Sequence, residues 1–291
     1  SSSSKQVSVS STDVTDGNPW THKDLGYYQY AYGINVAWSN NVWIAAGIRS
    51  AIWRSTDGAA SWTRLDLSSL VGWEDNHPIE GLAADGNGNW LISQNDNIYS
   101  STNDGATWSR VKVLASSRQS RGLAFTNGVW VCAYTDGSPP TTRLISANPN
   151  DLSTWSSFPG PTTLPRPGEI PNTDAVESRF FRRNAIAADG TGRVVVAPYG
   201  TQKMAYADVG LDGSGNPTMT NFNVVDVSSL MPASEKVLNV VTDGSTWLAS
   251  CEDGVLLEST NSGVTWTRIA DHIYNSTEDI MCIVGNVYLP L

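Results

Sequence analysis

The chain has 291 residues, 40% of them hydrophobic and 16% charged, with a formal net charge of −10. That length allows one or two domains, and the acidity excludes a broad nucleic-acid surface, which needs clustered Lys and Arg. No run approaches the ~20 apolar residues of a membrane helix, so no membrane insertion is expected.

In chain order, Ser1-Ser-Ser-Ser-Lys5 reads as a linker or a processed start, and residues 6–291 as one domain. Twelve Trp among many Ser, Thr, Asn and Gly residues suit short strands joined by tight turns and suit helices poorly. The first predicted strands are Gln6-Val-Ser-Val-Ser10 and Trp20-Thr-His-Lys-Asp-Leu25. Sets of four strands follow over 34–67, 80–113, 121–158, 184–227 and 238–270. In the second set they are Glu80-Gly-Leu-Ala-Ala84, Trp90-Leu-Ile-Ser93, Asn97-Ile-Tyr-Ser-Ser101 and Thr107-Trp-Ser-Arg-Val-Lys-Val113. The last predicted strands are Asp279-Ile-Met-Cys-Ile283 and Val287-Tyr-Leu-Pro-Leu291.

One segment recurs between the third and fourth strands of these sets. Ser55-Thr-Asp-Gly-Ala-Ala-Ser-Trp62, Ser101-Thr-Asn-Asp-Gly-Ala-Thr-Trp108 and Ser259-Thr-Asn-Ser-Gly-Val-Thr-Trp266 align without gaps. The side chains of Asp57, Asn103 and Asn261 are placed to accept backbone N–H bonds and hold a hairpin turn. Gly105 and Gly263 take positive φ at low cost, and the Trp packs over the turn. Looser copies run from Ser11 and Asp13 to Trp20, and from Ser146 and Asn148 to Trp155. A degenerate one sits near Tyr206-Ala-Asp208 with Phe222 in the Trp place. The box aromatics recur about every 45 residues, except that an insertion of about twenty separates Trp155 from Phe222. The two strands at each terminus together make one more unit. The expected fold is therefore an all-β, six-bladed β-propeller of four-stranded antiparallel blades, closed by pairing the N-terminal strands with the C-terminal ones, which removes exposed edges.

The Ser-x-Asp/Asn…Gly-x-Thr-Trp pattern, best matched at Ser101 and Ser259, resembles the Asp-box (BNR) repeat superfamily of sialidase-like propellers. That superfamily includes sialidases, sortilin-type receptors, xyloglucan hydrolases and bacteriophage virion proteins. The resemblance implies a rim of Asp boxes on one side. It places the working face on the other, among the connections between blades and between second and third strands. The motif itself is structural and shared by unrelated functions.

Candidate site residues come from those connections. Tyr27, Tyr28, Tyr30, Tyr32 and Trp73 would offer rings to the apolar face of a sugar, with Arg121 and Glu177 supplying polar groups. The insertion, residues 159–183, is rich in Pro and ends in Glu177-Ser-Arg-Phe-Phe-Arg-Arg183. It reads equally as an arm gripping a neighbouring subunit or as a ligand lid. Arg179, Arg182 and Arg183 form a positive spot suited to a carboxylate or phosphate, or to pairing with Glu177 or Asp174.

A sialidase-like glycoside hydrolase would need three arginines around a carboxylate, a Tyr–Glu nucleophile pair and an acid/base Asp. It would also need an aromatic-Arg-Ile-Pro segment near the start; the nearest stretch here reads Ala31-Tyr-Gly-Ile-Asn35. His22, His77 and His272 are isolated, and Asp85-Gly-Asn-Gly-Asn89 has Trp90 where a calcium loop needs Gly, so no metal or cofactor is expected. Cys132, Cys251 and Cys282 lie apart in strand-like runs and read as small buried hydrophobes. The functional expectation is a non-catalytic virion propeller in a tail fibre, spike or decoration, assembled in the host cytoplasm. Its partners would be a surface glycan or other virion proteins, and it could be a homo-oligomer. The alternatives are the hydrolase and a purely structural assembly protein.

Overall fold

A computed structural model describes residues 35–270, apart from 48–51, 76, 115–118, 137–140, 149, 158–168, 172–184, 198–201, 234 and 252–254. The described residues form five antiparallel sheets, four of them four-stranded and one five-stranded. Blade 1 comprises β1 (Asn35–Ser39), β2 (Val42–Ala46), β3 (Ile52–Ser55) and β4 (Thr63–Leu65). Blade 2 comprises β5 (Gly81–Ala84), β6 (Trp90–Gln94), β7 (Asn97–Ser101) and β8 (Ser109–Val113). Blade 3 holds β9 (Gln119–Thr126), β10 (Val129–Asp136), β11 (Thr141–Ala147), β12 (Trp155–Ser157) and β13 (Glu169–Pro171). Blade 4 is β14 (Ala185–Ala188), β15 (Arg193–Ala197), β16 (Lys203–Leu211) and β17 (Pro217–Asp226). Blade 5 is β18 (Val237–Thr242), β19 (Trp247–Cys251), β20 (Leu256–Ser259) and β21 (Thr267–Ala270), and a 3-10 turn, Ser228–Leu230, precedes it.

Strands follow one another within each sheet, and the first strands β1, β5, β9, β14 and β18 pack side by side in that order. Each sheet therefore packs its faces against the next. Second strands such as Val42–Ala46 and Trp90–Gln94 are buried along their whole length, as a strand covered on both sides must be. Successive blades share apolar cores: Ile44 and Ile52 with Trp90 and Ile92, Leu91 and Ile98 with Trp130, Val131 with Val194, and Val195 with Trp247. Cys132 and Cys251 lie fully buried in β10 and β19, and burial raises the Cys132 thiol far above its ordinary range.

Five sheets are described where six were expected. The terminal strands assigned to a sixth, with Ser11, Asp13 and Trp20, lie outside the described residues. Where the insertion is described it forms a strand, as β13 pairs antiparallel with Thr141, Thr142 and Arg143 of β11. It extends the edge that β12 begins at Ile145, Ser146 and Ala147. The outer strand pairs of blades 2, 4 and 5 each contain a register shift. Bulges there twist the edge strand and blunt it against strand addition.

Candidate functional site

Antiparallel order sends the connections between first and second strands and between third and fourth strands to one end of every blade. Those between second and third strands, and between blades, go to the other. The first end, the turn face, uses its polar side chains on itself. In the turn after β7, the Ser101 hydroxyl donates to Asn103 Oδ1 (2.9 Å) and accepts the Gly105 N–H (2.9 Å). Asn103 Oδ1 also accepts the Thr107 N–H (2.9 Å), and the Trp108 indole donates to the Gly105 carbonyl (3.0 Å). The turn after β20 repeats all four bonds through Ser259, Asn261, Gly263, Thr265 and Trp266. Ser55, Asp57, Ala59 and Ser61 make the first three bonds, but the Trp62 indole N–H has no partner among the described residues.

The boxes also fasten blades together. Arg54 of blade 1 donates to the Asp104 carbonyl (2.7 Å) of blade 2, and Asn40 reaches the Asp104 carboxylate. Arg193 of blade 4 makes the equivalent bond to the Ser262 carbonyl (3.1 Å) of blade 5. A Cβ on Gly105 would come within 2.3 Å of Ile44 Cδ1, and one on Gly263 within 2.6 Å of Val195 Cγ2. Both glycines also have positive φ, so side-chain volume and backbone conformation demand the same residue.

The looser copy at Ser146 and the degenerate one near Asp208 need correction. Seven residues before Trp155 stands Asn148, not Ser146, and its Oδ1 accepts the Asn150 N–H (2.8 Å) just as Ser101 accepts from Asn103. The Trp155 indole then donates to the Leu152 carbonyl (2.9 Å), so the capping bond survives without a glycine. Around Asp208 there is no turn at all. β16 continues to Leu211, Asp208 pairs with Arg193 (2.7 Å), and the hairpin turns at Asp212, whose carboxylate accepts the Ser214 and Asn216 N–H groups. Asp85-Gly-Asn-Gly-Asn89 is likewise a hairpin turn, with Asp85 Oδ1 accepting from Asn87 (2.7 Å) and Asn89 (3.1 Å).

The loop face is built differently, and two of its corners are near-copies. Asp66-Leu-Ser-Ser-Leu70 follows β4, and Asp226-Val-Ser-Ser-Leu230 closes β17. Asp66 Oδ1 accepts the Ser68 N–H (3.0 Å) and Asp226 Oδ1 the Ser228 N–H (2.9 Å). The Leu70 N–H bonds the Leu67 carbonyl (3.0 Å), as Leu230 does Val227 (2.9 Å). Bonds from the Ser68 and Ser228 hydroxyls, then their amides, hold both carboxyls below the usual range. A glutamine clamps each corner, but from different places: Gln202 stands just before β16 of the blade that the corner leaves, and Gln94 ends β6 of the blade that the corner enters. Gln202 donates to the Pro232 carbonyl (2.7 Å). Gln94 donates to the Glu74 (3.0 Å) and His77 (3.3 Å) carbonyls and accepts the Glu74 N–H (2.9 Å). Each corner ends on a buried glutamate, Glu80 or Glu235, just before a first strand.

The difference is length. Glu235 comes nine residues after Asp226, whereas Glu80 comes fourteen after Asp66. The extra stretch carries Val71 (67% exposed), half-buried Trp73, Glu74, exposed Asp75 and exposed His77. It is held firmly. The Trp73 ring packs edge-on against Tyr99 (centroids 5.3 Å, 69°), whose hydroxyl donates to the Val71 carbonyl (3.4 Å). Burial pushes that hydroxyl up to about 12. Gly72 leaves room for Arg110 Nη1, which a Cβ would meet at 2.4 Å, and His77 pairs with Glu74.

Of the residues expected at the site, the structure positions Trp73 there. Arg121 lies in β9, beside Gly122, with only its backbone described. Tyr27, Tyr28, Tyr30, Tyr32, Glu177, Arg179, Arg182 and Arg183 lie outside the described residues. Sequence reasoning missed Val71, the Gln94 clamp and the duplicated corner. The signal for the last was present in the shared Asp-Φ-Ser-Ser-Leu segments, where Φ is apolar.

Among solved structures, the chain is similar to YCF48 from Cyanidioschyzon merolae, with a TM-score of 0.52 and 17% identity over 87% of this chain and 75% of that one. It is also similar to a luciferin-regenerating enzyme, with a TM-score of 0.54 and 11% identity over 84% of this chain and 78% of that one. Both are β-propellers. The fold here is a β-propeller. At these identities the likeness extends to the fold alone. No protein-family description matches the chain, and no curated protein matches it.

Proposed function

We propose that the chain is a non-catalytic binding propeller that engages a surface glycan or another protein through its loop face. The observation that carries this reading is the extended corner over residues 71–77. The corner after β17 closes the same geometry with five fewer residues, so closure does not account for the extension. The extension instead presents an aromatic ring, an exposed aliphatic side chain and charged groups on a fixed base, the ingredients of a recognition surface. The box turns of the opposite face spend their polar groups on their own backbone or on the adjacent blade, which favours the loop face as the working side.

In this reading the complete propeller has six blades of Asp-box type. The residues before β1 and after β21 supply the blade beside blade 1. Blade 1 supports this: Trp43, Ala45, Trp53 and Ala59 cluster with Val36 and Trp62 of the same blade, whereas the other cores join two blades. The setting proposed is a bacteriophage particle, suited by compact Ser/Thr/Asn-rich blades.

The test is an array bearing glycans and peptides, probed with the wild type and with Trp73→Ala while hydrolysis of bound glycans is followed. Binding without turnover, weakened by Trp73→Ala, is the expected result. Release of product would replace this reading with a glycoside hydrolase, and binding indifferent to Trp73 would move the site elsewhere.

A further inference from the structure

We infer that the extended corner is a docking point for a basic, aliphatic peptide segment of a partner protein; this rests on the loop-face reading above and narrows it. Two observations point to a peptide of that chemistry. The first is apolar surface on a rigid base. Val71 is exposed although its own carbonyl is tied to Tyr99, and half-buried Trp73 lies two residues on, while Leu70 packs against the core. Trp73 rests on Tyr99, and Gln94 fixes the backbone on both sides of Glu74. A side chain arriving there meets a surface that loses little freedom on binding, which is where aliphatic anchors gain most.

The second observation is charge. Glu74 and Asp75 follow Trp73 directly, and Asp96 sits at the foot of the corner, where its Oδ1 accepts from Asn97 (2.7 Å). Against these carboxylates stand Arg110, whose Nη1 is engaged by Asn97 Oδ1 (3.3 Å), and His77, which pairs with Glu74. The excess is negative, on a chain whose net charge is already −10. A Lys or Arg two or three residues from an aliphatic anchor would meet this field, whereas an acidic segment would be repelled. A neutral glycan would stack on Trp73 but be indifferent to Glu74 and Asp75.

The experiment uses the full chain and an array of short synthetic peptides in three sets: Lys/Arg with Leu, Ile and Val; Asp/Glu with the same aliphatics; and Lys/Arg with Ser and Gly. Neutral and sialylated glycans are spotted beside them. Binding to the first set is expected, falling on the order of tenfold in Trp73→Ala and in the double variant Glu74→Gln/Asp75→Asn. Added salt should weaken it further. Equal binding to the acidic set, or no response to the charge variant, overturns the inference. Trp73-dependent binding to glycans alone also overturns it while leaving the loop-face reading intact. No Trp73-dependent binding to any probe sinks both.

Discussion

The corners after β4 and β17 start with the same residue pattern and make the same backbone bonds, yet only the first continues for five further residues. What they share is one way to pass from the outer strand of one blade to the inner strand of the next. What differs carries an exposed Val, a propped Trp and a run of charges. The pair acts as an internal control: the second corner closes with five fewer residues, so the first reveals where the fold has been elaborated. The Ser–Asp/Asn turns on the opposite face show no such elaboration. Their polar groups bond their own backbone or the adjacent blade.

The largest expected effect tests the shared, structural side of that contrast. Gly105→Val adds side-chain volume against Ile44 and places a β-branched residue at positive φ. Unfolding free energy should fall by about 2–4 kcal/mol, read by denaturant titration, while ligand affinity of the folded fraction stays unchanged. Trp73→Ala should do the reverse. Binding should weaken by about 1.4 kcal/mol, with a smaller loss of stability from the lost Tyr99 contact.

Ser259→Ala removes the acceptor of the buried Gly263 N–H and should cost about 1–2 kcal/mol of stability without touching binding. Asp57→Asn probes the smallest effect. Its carboxyl is held at about 2, chiefly by the Ser61 hydroxyl, then by the Ser61 amide, against an ordinary 3.8. A depressed native pKa adds stability that is complete above about pH 4 and is lost as pH falls through about 2. The variant's stability should therefore decline less steeply than the wild type's over that window, measured by thermal melts at stepped pH.

Much of the fold was legible because a propeller repeats. The Ser101 and Ser259 boxes carry a fixed spacing, since each atom in the turn has one partner, and the Trp period locates the blades. Legibility failed where the same bond could be made by another residue. Asn148 replaces the box Ser, and Leu152 offers the carbonyl that Gly105 offers elsewhere. Asp208 looked like a box Asp, but its partner is Arg193, fifteen residues earlier, and no local pattern announces that. Trp73 was readable as a candidate because it is an aromatic ring in a predicted interblade connection, the kind of residue that stacks on a sugar. Gln94 was not, because its clamp joins residues twenty positions apart through backbone groups that have no sequence signature. The doubled corner was visible in principle, but it stands between the boxes that anchor the alignment.

The account's central claim is that residues 71–75 serve recognition and not closure. The most direct measurement excises those five residues, leaving a corner as short as the one after β17, and then compares thermal melting and array binding with the wild type. The account predicts a chain that still folds, with a lowered melting temperature because Tyr99, Gln94 and Asn97 lose partners, and that no longer binds. Retained binding, or a propeller that no longer folds, would contradict it.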